Sequence, residues 1–219
     1  ISQDAILQIC YFVLPLTAIF LILRIPVVRL AFGSATFPWE ATTRTAAALG
    51  IFTIGIPAIA VSQLFTRVFY AQKNTSVPMI IQIIGLIVFL FISFVGFNVK
   101  NFGFIGFDIK PDLTILALAG SLANIVRLIL FAIFAQFEWQ NFWKPVLIQL
   151  FKMVVAFYYT LLCLWIPFQF LDKLVFDTTR VVPLIALTIS TSLIGICVYI
   201  VVCHLLDVLP QNYLWRLIM

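Results

Sequence analysis

The sequence predicts an all-α integral membrane protein, a bundle of six transmembrane helices forming one domain over residues 1–219. Three observations predict it. Hydrophobic residues make up 64% of the chain. Charged residues make up only 10%, against roughly 25% in an average soluble domain. The apolar residues fall into six runs, each long enough for the about 20 residues that a bilayer crossing takes. A water-soluble domain of this size must cover its surface with polar groups and could not hide so much apolar mass. An ordinary globular enzyme, a disordered chain and a secreted disulfide scaffold are excluded on the same ground.

Span one covers about 5–23. Pro15 interrupts it, leaves the carbonyl of Tyr11 without its donor and bends the helix. Residues 24–33 form a short amphipathic stretch closed by glycine, placed at the interface, and 34–38 form a turn. Span two, about 39–70, makes roughly 45 Å of helix, more than the hydrocarbon thickness, so it must tilt, kink or project. Gly55 and Pro57 mark the kink, because Pro57 orphans the carbonyl of Thr53. The polar stretch 71–77 is a loop. Span three covers about 78–97, with Pro78 in its first turn. Residues 98–112 read as a Phe- and Gly-bearing loop near the interface. Span four covers about 113–136 and a short aromatic loop covers 137–144. Span five covers about 145–167, a charged loop 172–180, span six about 183–206, and an interfacial tail 207–219. Trp39, Trp139, Trp143, Trp165 and Trp215 all fall at span ends, where the headgroup region favours indole.

Net charge is +5, which suits basic loops. No Lys/Arg cluster is present, so a nucleic-acid partner is not predicted. Cys10, Cys163, Cys197 and Cys203 lie inside apolar runs without metal-ligand spacing and read as small packing residues. No signal peptide is visible. The chain starts at Ile1 and enters an apolar helix at once, so the expectation is a fragment whose N-terminal part is missing. Six spans put both termini on one side. Arg67, Lys73, Lys144, Lys152 and Arg216 fall on that side; Arg24, Arg29, Arg44, Lys100, Lys110, Lys173 and Arg180 fall on the other. This balance leaves orientation open.

No catalytic constellation is visible, so the chain does not read as an enzyme, and no metal or cofactor is implied. The single histidine, His204, reads as a packing residue near the end of span six. Asn74-Thr75-Ser76 matches a glycosylation sequon, a pattern frequent by chance. Polar groups inside spans say more, because hydrocarbon penalises them unless they face protein or water. In span four, Ala117, Gly120, Asn124 and Arg127 share one helical face. Two readings stand: a small-residue packing seam with Arg127 snorkelling to headgroups, or a cavity wall whose guanidinium meets an anionic substrate group. Span five repeats the pattern with Gln149, Lys152, Ala156 and Tyr159. Gln63 and Arg67 stand one turn apart near the polar end of span two, where a cation suits the helix dipole.

Two stretches carry a family resemblance. Pro26-Val27-Val28-Arg29-Leu30-Ala31-Phe32-Gly33, followed by Phe37, resembles the P-I-V-R-L-L-F … F segment of the MurJ/MviN family of bacterial lipid II flippases. Gly55-Ile56-Pro57, leading into Arg67-Val68-Phe69-Tyr70-Ala71-Gln72-Lys73-Asn74-Thr75-Ser76-Val77-Pro78, is similar to that family's G-L-P … R-x-F-Y-A-x-x-D-T-x-T-P. The stretch 116–124, Leu116 through Asn124, resembles its L-A-L-A-x-S-L segment more weakly. Order and spacing agree over about 1–136. Asn74 stands where the family commonly has Asp, Ser76 and Val77 replace polar residues, and the loop 102–112 is longer than usual. No charge-dependent role is therefore carried over to the 74–77 loop.

The resemblance implies the last six of fourteen helices, most of the C-terminal lobe of a two-lobed transporter in the multidrug/oligosaccharidyl-lipid/polysaccharide superfamily. It implies cytoplasmic termini, with 67–73 on the same side. It implies lipid II and membrane lipid as partners, beside an N-terminal lobe missing here that holds the family's cavity arginines. The last two helices, here 145–167 and 183–206, would form the groove for the lipid tail. The expected function is flipping of lipid II across the bacterial inner membrane by alternating access. Arg127, Asn124, Lys152, Gln149, Arg67 and Gln63 are the substrate-pathway candidates, and Pro57, Gly55 and Pro15 the hinge candidates. A cation-coupled multidrug exporter of the same superfamily is the nearest alternative; every acidic residue lies at a span end or in a loop, which disfavours it. A non-transporting membrane scaffold is the alternative from another class.

Overall fold

The computed structural model describes residues 3–33, 38–98, 102–104, 107–109, 113–138, 143–174 and 181–208. Seven helices and one small hairpin follow in chain order. They are α1 (Gln3–Ile22), α2 (Arg24–Phe32), α3 (Trp39–Ala71), α4 (Ser76–Asn98), β1 (Phe102–Phe104), β2 (Phe107–Ile109), α5 (Leu113–Glu138), α6 (Trp143–Leu174) and α7 (Val181–Leu205). Six of the helices are long and apolar enough to cross a membrane. The chain is therefore a multi-pass membrane protein built as an all-α bundle. Trp139, Trp215 and the tail beyond 208 lie outside the described residues.

Prolines inside these helices do not stop them. Pro15 lies within α1 and Pro57 within α3. The sequence pattern ends span five at Pro167, yet α6 runs on to Leu174. A membrane helix loses one hydrogen bond at proline, and neighbouring helices make the break tolerable. Trp165 thus sits inside α6, at the end of its candidate membrane span Val146–Trp165. Trp39 does open α3, where the Arg29 guanidinium lies 4.9 Å above its ring. The stretch 98–112 also differs from the loop reading, because β1 and β2 pair antiparallel there.

Two helices end without glycine in a conformation that glycine favours. Lys73 has φ 60° and Asp207 has φ 49°. After α3, Asn74 N–H reaches the carbonyl of Phe69 and Lys73 N–H that of Tyr70, both at 3.0 Å. After α7, Val208 N–H reaches Cys203 and Asp207 N–H reaches His204. These paired bonds are Schellman caps, and each satisfies carbonyls that the helix end would orphan. Val208 and Cys203 share one core cluster, the apolar contact such caps favour.

α3 packs on α5 along one side and on α1 and α2 along the other. α4 packs on α5, and α6 on α1 and α7. The core is divided by depth. Toward the chain termini one cluster joins six helices: Cys10 and Tyr11 of α1, Phe65 and Phe69 of α3, Ile81 of α4, Phe131 of α5, Met153 of α6 and Tyr199 of α7. Phe131 stacks on Phe65 at 6.0 Å between ring centroids. Toward the other side the core separates. Ala48, Ile51, Ile115, Ala117 and Leu118 join α3 to α5. Ala18, Ile19, Leu23, Leu164 and Leu187 join α1 and the α1–α2 break to α6 and α7.

Candidate functional site

Lipid tails are as apolar as leucine, so helices in a bilayer associate through close packing and polar contacts. The α3–α5 crossing has both. Ser121 Oγ donates to the carbonyl of Ile51 at 2.8 Å. A Cβ added at Gly55 would lie 3.1 Å from the Ser121 Cα, so Gly55 lets the backbones approach. Thr53 Oγ1 donates to the carbonyl of Leu49 at 2.7 Å. Pro57 supplies no N–H to the carbonyl of Thr53. Between residues 49 and 57, three carbonyls of α3 thus depart from ordinary helical pairing. Pro15 has a similar setting in α1, with Thr17 Oγ1 donating to the carbonyl of Val13 at 2.5 Å.

Arg127 stands near the middle of α5. Its Nη1 donates to Asn124 Oδ1 at 3.1 Å, one turn toward the start of the helix. Helical side chains lean that way. For Arg127 that direction leads away from the nearer end of α5, so the guanidinium lies beside the middle of the helix. Its stem crosses α4 at Gly85, where an added Cβ would collide with the Arg127 Nε. That Nε is buried without a hydrogen-bond partner.

Lys152 follows the same rule with the opposite outcome. It lies near the start of α6, so its lean carries it outward. Nζ donates to the carbonyl of Leu206 at 2.9 Å, the group next to the Schellman bonds of α7. The ammonium thus completes the α7 cap and ties α6 to α7. Gln149, one turn nearer the start of α6, has a buried Oε1 without a partner. Asn124 and Arg127 are brought together; Lys152 joins a different helix pair, α6 and α7.

Gln63 and Arg67 are exposed on α3. They belong to a longer stripe, at helical spacing, that contains Phe52, Ile56, Ile59, Gln63, Arg67 and Tyr70. All six are at least partly open. The spacing was readable in the sequence; which neighbours cover α3, and hence which stripe stays open, was not. A further cavity of about 230 Å³ lies between α4 and α5, and its lining, including Phe91, Ile92, Gly96, Ile115 and Leu118, is wholly apolar. Among the described residues no group of His, Cys, Asp and Glu could hold a metal ion. Outside the spans, burial lowers the pKa of Arg24 below the ordinary arginine value.

Comparison with known proteins gives consistent results. A family model described as "Lipid II flippase MurJ" matches residues 1–182. A "Probable lipid II flippase MurJ" from Rhizobium meliloti (strain 1021) is 27% identical over 192 residues, covering 85% of this chain and 32% of the relative. A protein of the same description from Rickettsia prowazekii (strain Madrid E) is 32% identical over 75 residues, covering 34% of this chain and 15% of the relative. The chain spans about a third or less of the length of these curated relatives.

Proposed function

Since the chain belongs to the lipid II flippase MurJ family, we propose that it works as the C-terminal lobe of a transporter that flips lipid II across the bacterial inner membrane. The observation that carries this reading is the family match over residues 1–182, on a bundle with six candidate membrane spans. A flippase makes and breaks no covalent bond in its substrate. What it must supply is a path for a polar headgroup through hydrocarbon, where an unsatisfied polar group costs several kcal/mol.

In this proposal the open stripe of α3 faces that path. Gln63 and Arg67 offer a donor and a cation near its entrance on the side of the chain termini, which is the cytoplasmic side. Phe52, Ile56 and Ile59 give a smooth apolar wall beyond them. Arg127, with Asn124, holds positive charge at mid-depth beside this wall and favours passage of an anionic phosphate group. Lys152 acts on α6 and α7, the helices assigned to the lipid tail, by fixing the end of α7, and Gln149, one turn away, offers a buried polar group on α6. Pro57 and Gly55 give α3 a weak segment about which the lobe can bend as access alternates. The partners are lipid II, surrounding lipid and an N-terminal lobe of the same protein.

The test is rescue of flippase-depleted cells by the full-length gene, read as lipid II exposed on the periplasmic face. Exposure that returns with expression supports the reading. Well-expressed protein with no exposure rejects it.

A further inference from the structure

The seam between α4 and α5 is closed at two points and hollow between them. Near the end of α4, Ile115 of α5 lies against Gly96, where an added Cβ would come within 2.6 Å of the Ile115 Cγ2. About three turns earlier on α4, the Arg127 stem crosses Gly85. The cavity of about 230 Å³ lies along the stretch between these closures, lined from α4 by Phe91, Ile92, Val95 and Gly96 and from α5 by Ile115, Leu118 and Leu122. Ile115 and Leu118 are buried and form its floor; Phe91 and Val95 are exposed and form its rim. With both ends of the seam closed, access is from the side.

The chemistry of the lining decides what fits. A buried water needs polar partners, and this lining offers none. An empty space deprives its walls of dispersion contacts. An apolar cavity of ~150 Å³ stays dry and takes up benzene, so this one has room for a hydrocarbon segment. The lining belongs to two candidate membrane spans, Ser76–Asn98 and Leu113–Gln136. Of the six spans, that of α4 is the least covered, with 17% of its apolar window buried. Ile87, Leu90 and Phe94 beside the rim are exposed, and such a face of a spanning helix meets acyl chains.

We propose that this cavity is a binding site for one acyl chain of a membrane phospholipid, which enters sideways past Phe91 and Val95 and rests on Ile115 and Leu118. The site occupies the last two turns of α4, so it draws its lipid from the leaflet opposite the start of α1. A seated chain supplies the contacts that the cavity walls lack and holds the outer end of α4 on α5. The inference rests on the membrane placement alone, not on the flippase reading.

The test uses the full-length protein in phosphatidylcholine–phosphatidylglycerol vesicles doped with phosphatidylcholine that carries a diazirine midway along one acyl chain. After irradiation, mass spectrometry maps the lipid adducts to residues. A seated chain should label Ile115 and Leu118, only 3% and 9% exposed, and labelling there should saturate as the doped lipid is raised. Phe94, 72% exposed, should be labelled in proportion to the doped lipid. Leu122→Trp fills the cavity and should cut labelling of Ile115 and Leu118 about tenfold, since an occupied space leaves no room for the chain. Unchanged labelling of Phe94 checks that the variant is folded in the membrane. In the unsubstituted protein, adducts confined to Phe91 and Phe94, or no adducts at the rim because protein covers it, overturn the proposal. So does labelling of Ile115 and Leu118 that survives Leu122→Trp undiminished.

Discussion

A single glycine decides how Arg127 lies. Gly85→Ala places a methyl on the arginine stem, which must lift away from α4. Replacing glycine by alanine in a helix ordinarily stabilises. Here it should destabilise by about 1–3 kcal/mol, the range for overpacked sites. Denaturant titration in detergent reads this, and adding Arg127→Ala should recover part of the loss, because the two changes share one contact. Lys152→Met should remove the donor to the Leu206 carbonyl at a local cost of about 1 kcal/mol. Hydrogen exchange should rise in the last turn of α7 and stay unchanged in the first turns of α1. The helical spacing of Asn124 and Arg127 was legible in the chain. Gly85 belongs to another helix, so its part in seating the arginine appears only when α4 and α5 are packed.

At the scale of the element, hydropathy sufficed to find the spans, because 20-residue apolar runs leave few alternatives. Ends and irregularities were less legible. α6 passes through Pro167 because a bilayer helix surrounded by neighbours tolerates a missing bond. The Schellman caps at Lys73 and Asp207 carry no glycine to announce them. Lys73→Gly should relieve the left-handed backbone cost and raise stability by about 1 kcal/mol, measurable as a higher melting temperature in detergent. The hairpin was hidden because a run such as Phe102-Gly103-Phe104 is too short for strand periodicity to stand out. In α3, Pro57→Ala would return a donor to the carbonyl of Thr53. On the hinge proposal, flipping should fall several-fold while the helix becomes more protected from exchange near residue 53. Full flipping with unchanged conformational populations would sink that proposal and leave Pro57 a packing kink.

Across the whole molecule the divided core matters most. Six helices share one cluster near the chain termini, while on the other side α3 and α5 hold one cluster and α1, α6 and α7 another. Cores resist deformation where they are continuous, so the two groups of helices should differ in relative freedom along their length. Spin labels at Phe52 and Ile185, both exposed, should give a broad distance distribution. Labels at Arg67 and Leu205, exposed near the joined end, should give a narrow one. Equal widths would count against a split in mobility. Hydrophobic patterning foretold the number of rods but not this division, which depends on which rods touch at which depth.

A clamp closed at one end couples the protein to one leaflet more than to the other. Where the core divides, α2 still packs on α3 and on α7, so acyl chains of that leaflet press on two groups joined through a short helix; at the other end the groups share one core cluster. Changes in lateral pressure or chain length on the open side should therefore shift the spacing of the two groups, and the same changes on the closed side should leave it nearly still.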